Sequence, residues 1–212
     1  MFIPLVDLLR CVRAHDETWL VASIDEALDR DIVRGTLGCP VCLAEYPIRE
    51  GIVLFDDAAP PVLPVQTAPR EDDAIRLAAA LDLTDARMTA LLHGVWGAYA
   101  PILRGLTPAQ LLLVNPPQGI ASGDGVSIVR SGRVAPVAHN AVAAVALDAG
   151  AEPPMVESLV ASLKPGARML GQARTPIPEG LAELARDAEV WVAQLDVGTA
   201  ASSPVTLTRR SR

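Results

Sequence analysis

Beyond residue 70 the apolar positions alternate between two periods. "DDAIRLAAALDL", Asp72 to Leu83, has helical spacing, whereas "MTALL", Met88 to Leu92, is a short unbroken apolar run that reads as a strand. Tyr99, Ile102, Leu103 and Leu106 then fall at i, i+3, i+4 and i+7, the stripe that one face of a helix presents. "AQLLLVN", Ala109 to Asn115, predicts a buried strand, followed by the turn-rich "PPQGIASGDG". "VSIVRSG" and "AVAAVALDAG" predict two more strands, the second ending at Asp148. Val156, Leu159, Val160 and Leu163 repeat the helical stripe, which "KPG" closes. "RMLGQA", "EVWVAQL" and "SPVTLT" are further strands, with a helix, "EGLAELARDA" (Glu179 to Ala188), between the first two. Strands alternating with helices predict an α/β fold with a mostly parallel sheet and helices on both faces. The last two strands lie close in sequence and predict an antiparallel edge.

Between Asp56 and Asp73 the pattern lapses: "DDAAPPVLPVQTAPREDD" holds four prolines and no sustained period, the composition of an extended linker. The chain thereby divides into a short module over residues 1–56, a linker over 57–73 and an Ala-rich unit over 74–212. No run approaches the roughly 20 apolar residues of a membrane span. The opening "MFIPLVDLLRC" has Asp7 and no early basic cluster, unlike a secretory signal. These features predict a soluble, cytoplasmic protein. The net charge of −7 is uneven, since residues 1–60 carry five Arg against eleven acids. An acidic surface repels phosphate backbones, which disfavours direct nucleic-acid binding and favours another protein as partner.

The three cysteines, Cys11, Cys39 and Cys42, all lie in the first fifth of the 212 residues. Their odd number argues against a disulfide framework. Cys39-Pro-Val-Cys42 is a C-x-x-C knuckle, in which two thiolates reach one Zn²⁺ from a tight turn. Cys11 and His15, spaced C-x3-H, offer the other half of a closed Cys3His structural site, which would stabilise a module with little core of its own. A redox role is the alternative for a lone C-x-x-C, but this one precedes no helix of a βαβ unit. Relics of a lost site are another.

"LGCPVCLAEYPIREGIVLF", Leu37 to Phe55, resembles the zinc-ribbon proteins that bind and activate tRNA and protein methyltransferases, and the likeness covers residues 5–56. The family's first half is usually also C-x-x-C; here that register gives Cys11 and Ala14, with His15 one position late. The Ala-rich unit resembles class I S-adenosylmethionine-dependent methyltransferases. "LLHGVWGAY", "APVAHNAVAAVALD" and "VESLVASLKPGARML" fall in that family's order and spacing. The resemblance implies a Rossmann-like domain, S-adenosylmethionine as cofactor, and a cofactor site made by Gly94, Trp96, Gly97, Asn115 and Asp148.

Two of these positions depart from the family's pattern. In such sites a Gly-rich turn lets backbone approach the ligand, and the following helix offers free N–H groups to the ligand's carboxylate. His93-Gly94-Val95-Trp96-Gly97 has an indole where a glycine is expected, which predicts lost room for the methionine part of the cofactor. An acid that would accept from both ribose hydroxyls is replaced by Asn115. Asp148, at the end of the fourth strand, is retained, although a turn or cap acid is an equally good reading. "NPPQ", Asn115 to Gln118, resembles the amino-methyltransferase "NPPY" motif but lies on the second strand, so a strand-ending turn is favoured. His139 is expected on a solvated turn and Trp191 in the core or at an interface. Two readings compete: a binding or regulatory protein with a degenerate cofactor site, which the departures favour, and an active methyltransferase with a fused activator module. The catalytic residues are unassigned.

Overall fold

A computed structural model of the chain describes residues 1–56, 59–65 and 68–196. The first four strands are β1 (Val21–Leu28), β2 (Asp31–Gly38), β3 (Glu45–Arg49) and β4 (Ile52–Leu54), each antiparallel to the one before. After helix α1 (Glu71–Ala80) come β5 (Thr89–His93), a 3-10 turn (Gly94–Tyr99) and helix α2 (Ala100–Leu106). Strands β6 (Gln110–Val114), β7 (Val126–Arg130) and β8 (Val142–Leu147) lead to helix α3 (Pro153–Ser162). Strands β9 (Leu163–Gln172), β10 (Leu181–Arg186) and β11 (Val190–Leu195) complete the described residues.

All of them join one 11-stranded sheet, in the order β1-β2-β3-β4-β7-β6-β5-β8-β9-β11-β10. Strands β4, β7, β6, β5, β8 and β9 run parallel to one another, and the strands flanking them on either side are antiparallel. The central strands are buried on both faces, as their unbroken apolar runs require. One face packs Leu91, Val145 and Met169 against Met155 and Leu159 of α3 and against Leu5, Val6 and Leu9. The other packs Ala90, Leu92 and Leu111 against Ala74 and Leu77 of α1 and Leu103 of α2. Three acids in the first turn of α1, Glu71, Asp72 and Asp73, lie where the positive end of the helix dipole favours them. This is the expected α/β, Rossmann-like architecture, with helices on both faces. No helix among the described residues is long and apolar enough to cross a membrane.

The N-terminal strands do not stand apart from the rest. Strand β4 pairs in parallel with β7 through Ile52↔Ile128, Val53↔Val129 and Leu54↔Arg130. The segment before β1 crosses one face of the sheet, where Arg10 N–H donates to Pro136 O at 2.9 Å and Ala138 N–H to Leu8 O at 2.8 Å.

The helix expected over Glu179–Ala188 is instead strand β10, paired antiparallel with β11 from Leu181↔Leu195 onward. Every residue beyond Leu181 is exposed, so no core face exists for a helix to bury. Ladder bonds to β11 decide the segment over helix propensity. The antiparallel edge is thus β11 with β10, and "SPVTLT" lies outside the described residues. Helix α3 ends at Ser162, so Leu163 opens β9 rather than extending the helical stripe. In α2 the stripe is incomplete, because Leu106 is 40% exposed while Leu103 is fully buried.

The fully buried Trp191 lies in the core, across Gly171 on β9. A methyl group at Gly171 would stand 2.6 Å from the indole Cε2. Gly171→Ala is therefore expected to destabilise the fold by about 1–3 kcal/mol through overpacking. Adding Trp191→Phe should restore part of the lost thermal midpoint; a double variant no more stable than Gly171→Ala alone would contradict this account.

Candidate functional site

The carboxyl ends of β5, β6, β7 and β8 border a cleft of about 620 Å³, within the size range of small-molecule sites. Gly94, Trp96, Asn115 and Asp148 all line it. Gly97 lies behind it, buried, where a methyl group would stand 2.6 Å from Pro116 Cβ. Gly94 has φ +61°, and a methyl group there would stand 2.7 Å from Asp148 Cβ. Both glycines are thus required by the protein's own packing.

Asp148 is the hub of this loop. Its Oδ2 accepts the Val95 N–H at 3.0 Å and its Oδ1 accepts the Gly150 N–H at 3.1 Å. The Trp96 indole swings to the same strand end, where Nε1–H donates to Leu147 O at 2.9 Å. The indole therefore forms a wall of the cleft, which stays open beside it. Asn115, at φ +54°, turns its amide sideways: Nδ2–H donates to Ser131 O at 2.7 Å, and Oδ1 accepts the Ser131 N–H at 3.0 Å. That reciprocal pair ties the end of β6 to the end of β7. "NPPQ" is the strand-ending turn expected of it.

Two features of the cleft were not legible in the sequence. His93, the last residue of β5, is only 7% exposed, and its Nδ1 is enclosed without a hydrogen-bond partner among the described residues. Burial pulls its pKa below the usual 6.5, while nearby Asp148 pulls the other way, so the ring is neutral at neutral pH. The second feature is the proline-rich segment, whose residues Pro60, Leu63 and Val65 form the outer wall. Leu63 O accepts the Gln118 N–H at 2.8 Å, and the Arg130 guanidinium donates to Pro60 O and, at 3.3 Å, to Pro116 O. Prolines in sequence signal an extended chain but not where it lies. His139 does lie on an exposed turn, with Nδ1 2.8 Å from Glu17 Oε2.

The second cluster lies in the N-terminal strands. The ligating atoms of Cys11, His15, Cys39 and Cys42 all lie within 4.8 Å of one another, a set that could hold one metal ion. Cys11 Sγ is 3.6 Å from Cys42 Sγ, and Cys39 Sγ is 3.4 Å from His15 Nε2. A tetrahedral zinc site has S···S edges of about 3.8 Å and S···N edges of about 3.5 Å, given Zn–S of about 2.3 Å and Zn–N of about 2.0 Å. The donor set fits. Tight turns bring His15 into place despite its late position: its N–H donates to Arg13 O at 3.0 Å, and Arg13 N–H reaches Cys11 Sγ at 3.5 Å. His15 Nδ1 lies 2.7 Å from Asp16 O, so the nitrogen facing that carbonyl carries the proton and Nε2 keeps its lone pair for the cluster. The Cys39 knuckle is closed by Leu43 N–H donating to Cys39 O at 3.0 Å, with Leu43 at φ +58°.

Burial pushes the Cys39 thiol up, but N–H donors of Cys42 and Val41 and the neighbouring thiols outweigh it, bringing the group down to about 6. Burial raises Cys11. Tyr46 Oη lies 2.9 Å from Cys11 Sγ, and its hydroxyl is held protonated by burial and by that sulfur, so it can donate to a Cys11 thiolate. "YPI" marks this tyrosine in sequence, but only the fold brings its hydroxyl against the Cys11 sulfur.

No family model and no curated protein matches the sequence. Solved structures do. The tRNA (m1A58) methyltransferase TrmI from Aquifex aeolicus is 16% identical, with a TM-score of 0.44, over 62% of this chain and 72% of that one. An S-adenosylmethionine-dependent O-methyltransferase from Thermotoga maritima is 14% identical, with a TM-score of 0.43, over 66% and 67%. An RNA methyltransferase from Salinibacter ruber, in complex with S-adenosyl-L-homocysteine, is 15% identical, with a TM-score of 0.39, over 68% and 100%. These likenesses are distant and concern the course of the backbone alone.

The neutral, buried His93 makes stability depend on pH. Unfolded, its imidazole takes up a proton near the usual 6.5; folded, only at lower pH. Its contribution is therefore complete above that value and is lost as the pH falls below it. Denaturant midpoints measured from about pH 8 down to about pH 5.5 should fall less steeply for His93→Gln than for the wild type. Parallel curves would remove His93 from the account.

Proposed function

We propose that this chain is a methyltransferase-fold binding or regulatory protein whose cofactor loop is closed by its own carboxylate. The observation that carries the reading is the Asp148 Oδ2 contact with the Val95 N–H at 3.0 Å. A free backbone donor in this turn is what a cofactor carboxylate would use. Here an internal carboxylate takes it, and a second carboxylate brought alongside would meet like charge. Further support comes from Asn115, whose amide is engaged with Ser131, and from glycines that packing alone requires. The partner most consistent with the acidic N-terminal strands is another protein, met in the cytoplasm, where thiols stay reduced.

One observation favours the alternative, an active S-adenosylmethionine-dependent methyltransferase with a fused zinc-ribbon activator. The cleft beside Trp96 is open, at about 620 Å³. Calorimetric titration with S-adenosylmethionine and S-adenosylhomocysteine separates the two readings. The wild type is expected to give no binding, and Asp148→Ala or Trp96→Gly to gain it. Micromolar binding by the wild type would reject the closed loop.

We also propose zinc as a structural ion held by Cys11, His15, Cys39 and Cys42. Purified protein should carry about one zinc per chain, and Cys39→Ser should lose it together with stability. A full zinc complement in Cys39→Ser, or an unchanged melting temperature after chelation, would count against this assignment.

A further inference from the structure

A cleft that rejects a carboxylate at its loop still presents groups that select something else. Asp148 lines it with a carboxylate whose two oxygens each accept a single N–H, so each keeps a lone pair. Next to it stands His93, 93% buried by its 7% exposure, with an enclosed Nδ1 that nothing in the described residues satisfies. The ring stands against the cleft as a neutral wall, which does not repel a cation. Trp96 and Tyr99 line the same end, their ring centroids 5.8 Å apart and tilted by 31°. Aromatic faces attract cations and repel anions. The lining also carries Glu152 and, at its exposed rim, Arg133, so carboxylates outnumber guanidinium groups there. Opposite, the proline segment offers an apolar wall at Leu63 and Pro64.

From these groups together we propose that the cleft takes an organic ammonium ligand, a positively charged nitrogen on an apolar body with no carboxylate beside it. The nitrogen sits between the Asp148 carboxylate, the His93 ring and the indole of Trp96. The apolar body lies against the proline segment. Exclusion of a carboxylate rests on the closed loop proposed above; attraction of the cation does not.

A matched probe series tests the two parts separately. The full-length protein is titrated with 2-phenylethylamine, 2-phenylethanol, 3-phenylpropionate and phenylalanine, with the site located by the shift of the Trp96 indole N–H resonance. The amine is expected to bind at least about tenfold more tightly than the alcohol, the size of an aromatic–cation contact combined with an ion pair. The propionate is expected not to bind. Asp148→Asn, which keeps an oxygen for the Val95 N–H while removing the charge, should bring the amine down to the alcohol's affinity. The proposal is overturned if amine and alcohol bind alike, if the amine gives no binding at millimolar concentration, or if Asp148→Asn keeps the preference. A shift at Trp19 in place of Trp96 overturns it too. Phenylalanine binding as tightly as the amine would reject the closed loop and leave the ammonium site standing.

Discussion

Three residue pairs between β4 and β7 hold this molecule to its architecture. Without them the antiparallel strands that carry the cysteine cluster would have no continuous sheet to join, and β7 would be an open edge beside the cleft. An unpaired parallel edge exposes a row of backbone donors and acceptors, which proteins cover in one way or another. Here the cover comes from within the chain. Phe55 N–H extends the ladder by donating to Arg130 O at 2.8 Å, and Arg130 in turn reaches out to the proline segment. One pairing therefore fixes the N-terminal strands, the end of β7 and the outer wall of the cleft.

The cleft inherits its character from that arrangement. Its walls are strand ends whose geometry the sheet determines, and its polar groups are mostly committed to one another. Asn115 and Ser131 exchange two hydrogen bonds, while Asp148 ties the Val95 turn to the start of α3 through Gly150. What remains uncommitted is a short inventory dominated by negative charge, aromatic surface and one neutral imidazole. A pocket whose backbone donors are largely engaged and whose carboxylates outnumber its guanidinium groups discriminates by sign of charge before it discriminates by shape.

Much of the fold was legible because the central strands are nearly unbroken apolar runs with only one stable home, the interior of a parallel sheet. The Cys39–Cys42 knuckle was legible for a similar reason, since its spacing has few structural uses. The segment 179–188 was not, because a stretch exposed beyond Leu181 has no buried face to leave a period in the sequence. The segment after β5 reads in sequence as a strand–turn–helix, as it is, but the direction in which Trp96 and Asp148 point depends on neighbours about fifty residues away. His93 lay in plain view in the sequence. That it lacks a partner is a property of the packed state, which no local pattern records.

Gly94 and Gly97 have a further meaning for how such a loop changes over generations. Any side chain at Gly94 would collide with Asp148, and any at Gly97 with Pro116, so replacement is penalised through folding before ligand chemistry is consulted. Purifying selection on stability alone is then sufficient to preserve the glycine signature. The two glycines can then persist in a chain whatever the cleft beside them binds.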